Sequence, residues 1–499
     1  MKINKVLTIL MVHTLVLNSC KNKSENTKSE NGVRSKRPNI ILVLADDQRA
    51  NTIHYLGNDE IITPNLDELA KDGMAFTNAY IMGSYTGAVC QPSRAMLLTG
   101  KYLNNLEKGG KIIPKDHEML GETLQKAGYN SFGTGKYHSN PESFQNCFNQ
   151  GADIFFGGMY DQWNVPLHSY NSISDSALNQ RPVIENFYRN NEVSYKRGEY
   201  MHSGRHSTDI FTDATLEYIK NYDSDKPFFI FTSFMTPHDP RSTYKKYMDL
   251  YDTANIGIPP NFAVEHQFDI GDMKIRDEML AGFPREIPEV KQHIRDYYAL
   301  ITHNDESLGN IINALKENGQ YENTVVIYSG DNGLGLGQHG LMGKQNVYEH
   351  STKIPLIIKG RNIPKNKVND GLVYLNDLFP TICDMISIEI PASVDNKSFY
   401  GQLTGKKAGR EYILTGYKSY QRAVRDAQYK LIKYDVHGVQ RMQLFDLKND
   451  PYETTDLSKI DSLKENIDAL EKAMENLLTE LNDTIWKNEN YVEPPMIAL

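Results

Sequence analysis

The stretch "NIILVLADDQ", residues 39–48, decides the fold class. Its first seven residues, Asn39 to Ala45, form a short and almost continuously apolar run rich in branched side chains. Such a run is typical of a strand buried on both faces of a parallel sheet. Two carboxylates, Asp46 and Asp47, follow at once. Because open α/β sheets bind ligands at the carboxyl ends of their strands, the stretch also indicates where a site lies.

The same alternation continues along the chain. Apolar runs such as "FFIFTSF", "TVVIYSG" and "KIPLIIKG" are separated by helical patterns such as "STDIFTDATLEYIKNY". This order predicts an α/β fold with a doubly wound, mostly parallel sheet. From about Gly401 the pattern changes to the short strands "EYILTGY" and "RAVRDAQYKLIKY" and a closing helix. We therefore expect a main domain over residues 38–400 and a smaller C-terminal α+β subdomain with an antiparallel sheet over residues 401–499.

The N-terminus has the pattern of an export signal. Lys2 and Lys5 precede an apolar run that ends in "LNSC", which makes residues 1–19 a lipoprotein-type signal peptide and Cys20 the lipidated residue. Ordinary cleavage nearby, with Cys20 present by chance, is the alternative. Residues 20–37 have almost no apolar side chains and predict a flexible tether. We expect an exported lipoprotein at the periplasm, outer membrane or cell surface, held to the membrane only by its lipid.

Composition excludes some classes of function. The 499 residues carry a formal charge of −9, which argues against a nucleic-acid partner. Four cysteines are too few for a disulfide scaffold. Cys147 and Cys383 can form at most one bridge with each other, and we expect them instead to be buried free thiols. An anionic substrate would need a local cluster of cations.

Oxygen ligands cluster at two predicted strand ends. Asp46 and Asp47 follow the first strand, and Asp331 and Asn332 in "SGDNG" follow a later one. A single pair of aspartates is more commonly a turn or a helix cap. Three carboxylates and an amide oxygen at one sheet edge suit Ca²⁺ or Mg²⁺.

Basic groups are predicted at the same edge. They are Arg94, Lys136 and His138 in "GKYH", His238 in "TPHDP", and Lys344 in a glycine-rich loop. Lys136 and His138 are two apart, so on an extended segment they point to the same side. Each alone is weak evidence, because an isolated Lys is usually solvated and an isolated His is often structural. Together they suit a tetrahedral oxyanion ester, with cations for its oxygens and histidines to move protons.

The stretch "AVCQPSRAMLLTG" places a cysteine at a helix start. Pro92 fits only a first helical turn, so we expect the helix to begin near Gln91 or Pro92. Cys90 then lies at the positive end of the helix dipole, where a plain thiol would have a lowered pKa and be nucleophilic.

These motifs together resemble a known family. "CQPSRAMLLTG" resembles the C-x-P-S-R signature of formylglycine-dependent type I sulfatases, which are arylsulfatase-like enzymes of the alkaline phosphatase superfamily. "NIILVLADDQ", "GKYH", "TPH", "SGDNG" and the Gly-x-x-x-Lys loop occur in the family's order. The resemblance implies an alkaline-phosphatase-like fold and conversion of Cys90 to formylglycine (3-oxoalanine) by a maturation enzyme. It also implies one Ca²⁺, held by the ligands Asp46, Asp47, Asp331, Asn332 and residue 90.

The resemblance also implies a mechanism. Hydrated formylglycine at position 90 attacks sulfur as a gem-diol, aided by Asp331 as proton acceptor, and forms a covalent sulfate intermediate. Arg94 and Lys136 hold the gem-diol, and Lys136 also contacts the substrate.

In the same scheme, three further side chains bind the sulfate and assist release of the products. His238 and Lys344 bind the sulfate and protonate the departing sugar oxygen. His138 takes the second gem-diol proton, so that sulfate leaves and the aldehyde reforms.

The substrate predicted from the resemblance is a sulfated oligosaccharide or polysaccharide, with ulvan or carrageenan as best guesses and host glycosaminoglycans as another possibility. His202 and Arg205 in "YMHSGRH" are candidates to meet a uronate or second sulfate, or are simply solvated. Aromatic residues between Ser139 and His206 either stack on sugars or pack the loop. The alternatives are a phosphate or phosphonate monoester hydrolase of the same superfamily and an inactive glycan-binding relative.

Overall fold

The computed structural model describes residues 37–170, 180–185, 192–197, 199–406 and 409–486. The predicted signal peptide, Cys20 and nearly all of the predicted tether lie outside the described residues. Within these ranges no helix is long and apolar enough to cross a membrane. The predicted boundary at residue 400 stays a prediction.

The strands of the described residues follow the expected alternation with helices. They are β1 (Asn39–Ala45), β2 (Met74–Tyr80), β3 (Gly83–Ser84), β4 (Asn130–Lys136), β5 (Gln150–Phe155), β6 (Leu167–His168), β7 (Gln180–Glu185), β8 (Glu192–Arg197), β9 (Glu199–Tyr200), β10 (Phe228–Ser233), β11 (Thr324–Gly330), β12 (Lys353–Lys359), β13 (Lys367–Asn369), β14 (Val373–Tyr374), β15 (Ile413–Tyr417), β16 (Gln421–Arg425), β17 (Tyr429–Val436) and β18 (Val439–Asp446).

The helices vary widely in length. They are α1 (Pro64–Lys71), α2 (Cys90–Thr99), α3 (Leu120–Lys126), α4 (Pro141–Cys147), α5 (Ser207–Lys220), α6 (Lys245–Met248), α7 (Ile287–Glu317), α8 (Glu349–Thr352), α9 (Leu378–Met385), α10 (Tyr400–Leu403) and α11 (Lys464–Glu480). Short 3-10 helices span His54–Leu56, Leu103–Asn105, Glu107–Gly110, Glu278–Leu280, Tyr321–Asn323, Leu375–Asp377 and Asp461–Leu463.

One large sheet organises the chain. Over the described ranges it has eleven strands in the order β13-β2-β12-β11-β1-β10-β4-β5-β6-β9, with β14 beside β2. The central strands β11, β1, β10, β4 and β5 are parallel, whereas β12 runs antiparallel to both β11 and β2. The prediction of a mostly parallel sheet is confirmed.

The opening strand shows why its sequence is apolar throughout. Successive side chains of a strand point to opposite faces. Ile40, Leu42 and Leu44 belong to the hydrophobic cluster on one face, and Ile41 and Val43 belong to that on the other. β1 is therefore covered on both sides, as the run predicts.

A second sheet has the order β18-β17-β16-β15-β3. Its four C-terminal strands are antiparallel, as expected, and β3 joins them parallel to β15. At Gly83 φ is +97°, and an added Cβ would lie 1.9 Å from the carbonyl oxygen of Gly416. Glycine is required there, because no other residue permits this approach.

Candidate active site

The acidic residues are brought together by the two central parallel strands. Ala45, the last residue of β1, pairs with Gly330, the last residue of β11. Asp46 and Asp47 therefore emerge beside Asp331 and Asn332. The backbone N–H of Asp331 donates to the carbonyl oxygen of Ala45 at 3.0 Å, and that of Asp47 donates to Asp331 Oδ1 at 2.9 Å.

The basic residues reach the same edge from other elements. Lys136 ends β4, His238 follows β10, and Arg94 lies one turn into α2. Lys344 comes from the long loop between β11 and α8. All four side chains are buried. The structure thus assembles the predicted cluster from residues that are far apart in the sequence.

The acidic side of the cluster fits a divalent cation. One donor atom from each of Asp46, Asp47, Asp331 and Cys90 lies within 4.8 Å of the others. Among the described residues, Asp46 Oδ1 and Asn332 Oδ1 find no hydrogen-bond partner, although both are buried acceptors. Asn332 Nδ2 donates to Asp47 Oδ1 at 2.7 Å, which orients the amide oxygen. Such a set of hard oxygens is typical of Ca²⁺ or Mg²⁺ sites.

Two lysines neutralise these carboxylates. Lys344 Nζ lies 2.6 and 2.8 Å from the two carboxylate oxygens of Asp47, and Lys136 Nζ contacts Asp46 Oδ2. Burial alone would raise the pKa of Asp47, but Lys344 and His238 hold it far below its usual range. The pKa of Asp46 is likewise lowered, against burial, chiefly by Lys136.

Asp331 behaves differently from its neighbours. Its burial and the nearby charge of Asp46 raise its pKa to about 6, although Arg94 opposes this. Arg94 Nε donates to Asp331 Oδ2 at 2.7 Å and its Nη1 donates to the Lys136 carbonyl oxygen at 2.7 Å. Arg94 Nη2 is buried, makes no hydrogen bond with the described residues and lies 3.9 Å from Asp46 Oδ2.

Cys90 is the first residue of α2, so Pro92 lies in the first turn as predicted. Its Sγ lies 2.9 Å from Lys344 Nζ and 3.4 Å from Asp47 Oδ1. The expectation of a lowered thiol pKa is wrong. Burial, followed by the charges of Asp46 and Asp47, raises the pKa of Cys90 well above its usual value, because these effects outweigh the charges of Lys344 and Lys136.

The two histidines occupy different backbone settings. His238 Nδ1 donates to the carbonyl oxygen of Asp239 at 2.7 Å, and its Nε2 lies 3.6 Å from Asp47 Oδ2. At His138 φ is +59°, so the segment after Lys136 is not extended and the alternation argument for their common side is wrong. Burial and then the charge of Lys136 lower the pKa of His138, and its Nδ1 has no hydrogen-bond partner within the described part of the chain.

The structure does not bring His202 and Arg205 into this cluster. His202 Nε2 lies 3.1 Å from Asp153 Oδ1, and Arg205 forms an ion pair with Asp213. These four residues line a groove of about 600 Å³ along α5. A contact of His202 or Arg205 with substrate stays a prediction.

Most aromatic residues of the same region pack inside the protein. Phe144, Phe148, Phe155 and Phe156 are buried, so for them the packing interpretation is correct. Tyr160 is 46% exposed. Cys147 and Cys383 are buried and free, as expected.

Two further residues contact the backbone of the site and are not among those predicted from the sequence. Ser93 Oγ donates to the carbonyl oxygen of Asp331 at 2.5 Å and joins α2 to the end of β11. The hydroxyl of Tyr297 donates to the carbonyl oxygen of Asp47 at 2.6 Å. Ser93 lies inside the C-x-P-S-R motif and was open to prediction, whereas no local pattern marks Tyr297 within α7.

Comparison with known proteins agrees with this geometry. Residues 38–388 match the family description Sulfatase, and residues 337–481 match N-sulphoglucosamine sulphohydrolase, C-terminal. An N-acetylglucosamine-6-O-sulfatase of Bacteroides thetaiotaomicron is 24% identical, with 92% of this chain and 88% of that protein covered. An ulvan-active sulfatase of Formosa agariphila is 26% identical, with coverage of 99% and 91%.

A solved structure shows the same fold. It is that of a protein in complex with its substrate D-glucosamine-2-N,6-O-disulfate, with a TM-score of 0.72 and 22% identity over 91% of this chain and all of that one. The family match covers well over half of the sequence, in the fold and with the site described above. The chain therefore belongs to the sulfatase family of the alkaline phosphatase superfamily and is a sulfuric ester hydrolase.

Proposed function

We propose that this protein hydrolyses sulfate esters of a sulfated carbohydrate, with Cys90 oxidised to formylglycine and one bound Ca²⁺. The contact of the buried Cys90 Sγ with Lys344 Nζ at 2.9 Å and Asp47 Oδ1 at 3.4 Å carries the proposal. In the proposal, Sγ stands for an oxygen of the hydrated aldehyde, which would lie between a cation suited to sulfate and a carboxylate suited to metal.

Asp46, Asp47, Asp331 and Asn332 would hold the Ca²⁺, together with residue 90. The ion supplies positive charge that offsets three carboxylates and favours an ionised oxygen nucleophile. The two buried acceptors without partners, Asp46 Oδ1 and Asn332 Oδ1, support this assignment.

The hydrated aldehyde of residue 90 supplies the nucleophilic oxygen. Asp331 accepts a proton from it, and the Arg94 guanidinium and Lys136 ammonium orient it. Arg94 suits this role because its Nε and Nη1 are fixed by Asp331 and the Lys136 carbonyl, while Nη2 makes no hydrogen bond with the described residues and lies 3.9 Å from Asp46 Oδ2.

Sulfate binding falls to His238 and Lys344. With Nδ1 held by the Asp239 carbonyl, His238 presents Nε2 to the site, and Lys344 Nζ lies beside residue 90. These two groups bind the sulfate oxygens and protonate the departing sugar oxygen. His138, whose Nδ1 is free of protein partners, receives the second proton of the hydrated aldehyde.

The carbohydrate assignment is supported by the relatives. The Bacteroides relative is named for N-acetylglucosamine-6-O-sulfate and the Formosa relative for ulvan. The test is desulfation of a panel of defined sulfated oligosaccharides, followed by NMR, with protein matured by a formylglycine-generating enzyme. Faster turnover of matched phosphate esters than of sulfate esters would contradict the proposal.

Maturation has its own readout. Mass spectrometry of the peptide that contains residue 90 is expected to show an aldehyde in place of the thiol when the protein comes from its native host. An unconverted thiol there would favour the glycan-binding alternative. We also propose export with lipid attachment at Cys20, which mass spectrometry of the mature N-terminal peptide tests directly.

A further inference from the structure

Lys344 lies on a loop that has little regular structure of its own. Residues 331–348 connect β11 to α8 without a helix or strand. Inside the loop, the N–H of Gly335 donates to the Gly343 carbonyl at 2.7 Å and that of Gly337 donates to the Leu341 carbonyl at 2.8 Å. These bonds shape a glycine-rich turn, but they do not tie it to the rest of the site. Its position depends on contacts from elsewhere.

Glu278 provides the most direct of these contacts. Its Oε2 accepts the backbone N–H of Met342 at 2.8 Å, and its Oε1 accepts that of Gly343 at 2.8 Å. Both amides lie immediately before Lys344. Glu278 is 3% exposed, and a Cβ added at Gly343 would lie 2.8 Å from its Oε1. The carboxylate is therefore packed directly against the backbone that carries the lysine.

Arg285 holds Glu278 in this position. Its Nη2 donates to Glu278 Oε2 at 2.6 Å, and its Nε donates to the Gly340 carbonyl at 3.0 Å. Its Nη1 donates to the backbone carbonyls of Glu278 and Ala281, both at 2.8 Å. A buried carboxylate with one charged and two backbone donors is a strong and directional anchor.

The two residues before Glu278 extend the contact. Asp277 Oδ2 accepts from Gln345 Nε2 at 2.7 Å, and Gln345 Oε1 accepts the backbone N–H of Lys344 at 2.9 Å. Arg276 Nη1 donates to Asp277 at 2.9 Å and to Asp239 at 2.9 Å. Since the Asp239 carbonyl accepts from His238 Nδ1, residues 276–278 contact the supports of both Lys344 and His238.

We infer that Glu278 is a positioning residue for Lys344 in sulfate ester hydrolysis. It acts through the Met342 and Gly343 amides and sets where Nζ meets the leaving oxygen. The inference rests on the proposed function, in which Lys344 binds the sulfate and helps to protonate that oxygen. Misplacing such a group by about 1 Å costs roughly 10²-fold in rate.

The test is Glu278→Gln, measured on aryl sulfates whose leaving groups differ in basicity. Glutamine has the size of glutamate but carries no negative charge to pair with Arg285. Its side-chain NH₂ group is a donor, so it cannot accept a hydrogen bond from a backbone N–H. 4-Nitrophenolate departs without needing a proton, whereas phenolate gains from one. Protonation of a leaving group contributes about 10²–10⁴-fold to the rate. We therefore expect kcat/KM to fall about 100-fold for phenyl sulfate. The fall for 4-nitrophenyl sulfate should be smaller than this by a factor of at least about five.

The chain offers a matched control in Asp305→Asn. Asp305 is also buried and also accepts two backbone amides, those of Asn65 at 3.1 Å and Leu66 at 2.7 Å, but it joins α7 to α1. This variant should lower the melting temperature and reduce turnover of both esters equally.

Should Glu278→Gln not fold, Glu278→Asp keeps the charge opposite Arg285 but is too short to reach both amides.

A second readout does not need turnover. Hydrogen exchange, followed by mass spectrometry, should accelerate in peptides that contain Met342 and Gly343 in Glu278→Gln and not in Asp305→Asn. A wild-type enzyme without activity on any sulfate ester would count against the proposed function, while exchange would still decide on Glu278. Unchanged exchange at residues 342–343, or equal losses for all leaving groups in an active enzyme, would overturn the inference.

Discussion

Cys90→Ala separates the chemistry of residue 90 from its contribution to the fold. The side chain is 2% exposed, so its surroundings are closely packed. Truncation to alanine removes only the atoms beyond Cβ and leaves a small buried gap. Removing a buried group of this size costs about 0.5–1.5 kcal/mol.

The expected catalytic loss is far larger. Removing the nucleophile of a hydrolase lowers kcat by roughly 10⁶-fold, or about 8 kcal/mol of transition-state stabilisation. The variant should therefore melt within about 4 °C of the matured wild type and have no measurable turnover. The assays are release of 4-nitrophenol from its sulfate ester and thermal unfolding followed by fluorescence.

Two other free cysteines serve as controls. Cys147→Ala in α4 and Cys383→Ala in α9 remove equally buried thiols away from the cluster. Both should cost about the same stability and keep full activity. If Cys90→Ala retained more than about 1% of wild-type kcat, the role of residue 90 as nucleophile would be refuted.

Three further predictions concern the metal, pH and backbone. Chelation of Ca²⁺ should abolish activity and lower the melting temperature, because Asp46, Asp47 and Asp331 then repel one another, and Ca²⁺ should restore both; a metal-independent melting temperature would count against the site. Burial, then the charge of His303, lowers the pKa of His206 to about 3, so below pH 6.5 His206 binds a proton in the unfolded chain but not in the folded chain. The free energy of unfolding should therefore fall by about 2 kcal/mol at pH 5. In His206→Gln it should fall by clearly less. Gly83→Ala should lower the urea midpoint more than Gly128→Ala, since both have positive φ but only the first would meet backbone, and equal midpoints would contradict that reasoning.

The sequence predicted the cluster because the end of a strand can be recognised from the local sequence, and a parallel sheet brings such ends together. Asp46 and Asp331 each follow an apolar run, and parallel neighbours in register must place such residues side by side. The residue types at this edge then indicated a site for a hard metal cation and an oxyanion substrate. Neither step required knowledge of a side-chain position.

Most of what the sequence missed depends on non-local contacts. The pKa of Cys90 depends on desolvation and on carboxylates that follow another strand, and neither is visible in the sequence around the helix start. The backbone at His138 turns left-handed, which no period-two pattern reveals. Glu278 lies 66 residues from Lys344 in a stretch without a motif, so its two amide contacts emerge only from the folded chain.

The short strand β3 has a consequence for the order of events in the cell. It lies a few residues before Cys90, yet it pairs with β15, more than 300 residues later in the chain. Until β15 has been synthesised, the segment ahead of the cysteine lacks this partner. In the folded chain residue 90 is only 2% exposed, which leaves a second enzyme little access to it. If Cys90 is converted to formylglycine as proposed, docking of the C-terminal sheet would limit the time available for conversion, and any change that speeds docking should lower the fraction of active molecules rather than raise it.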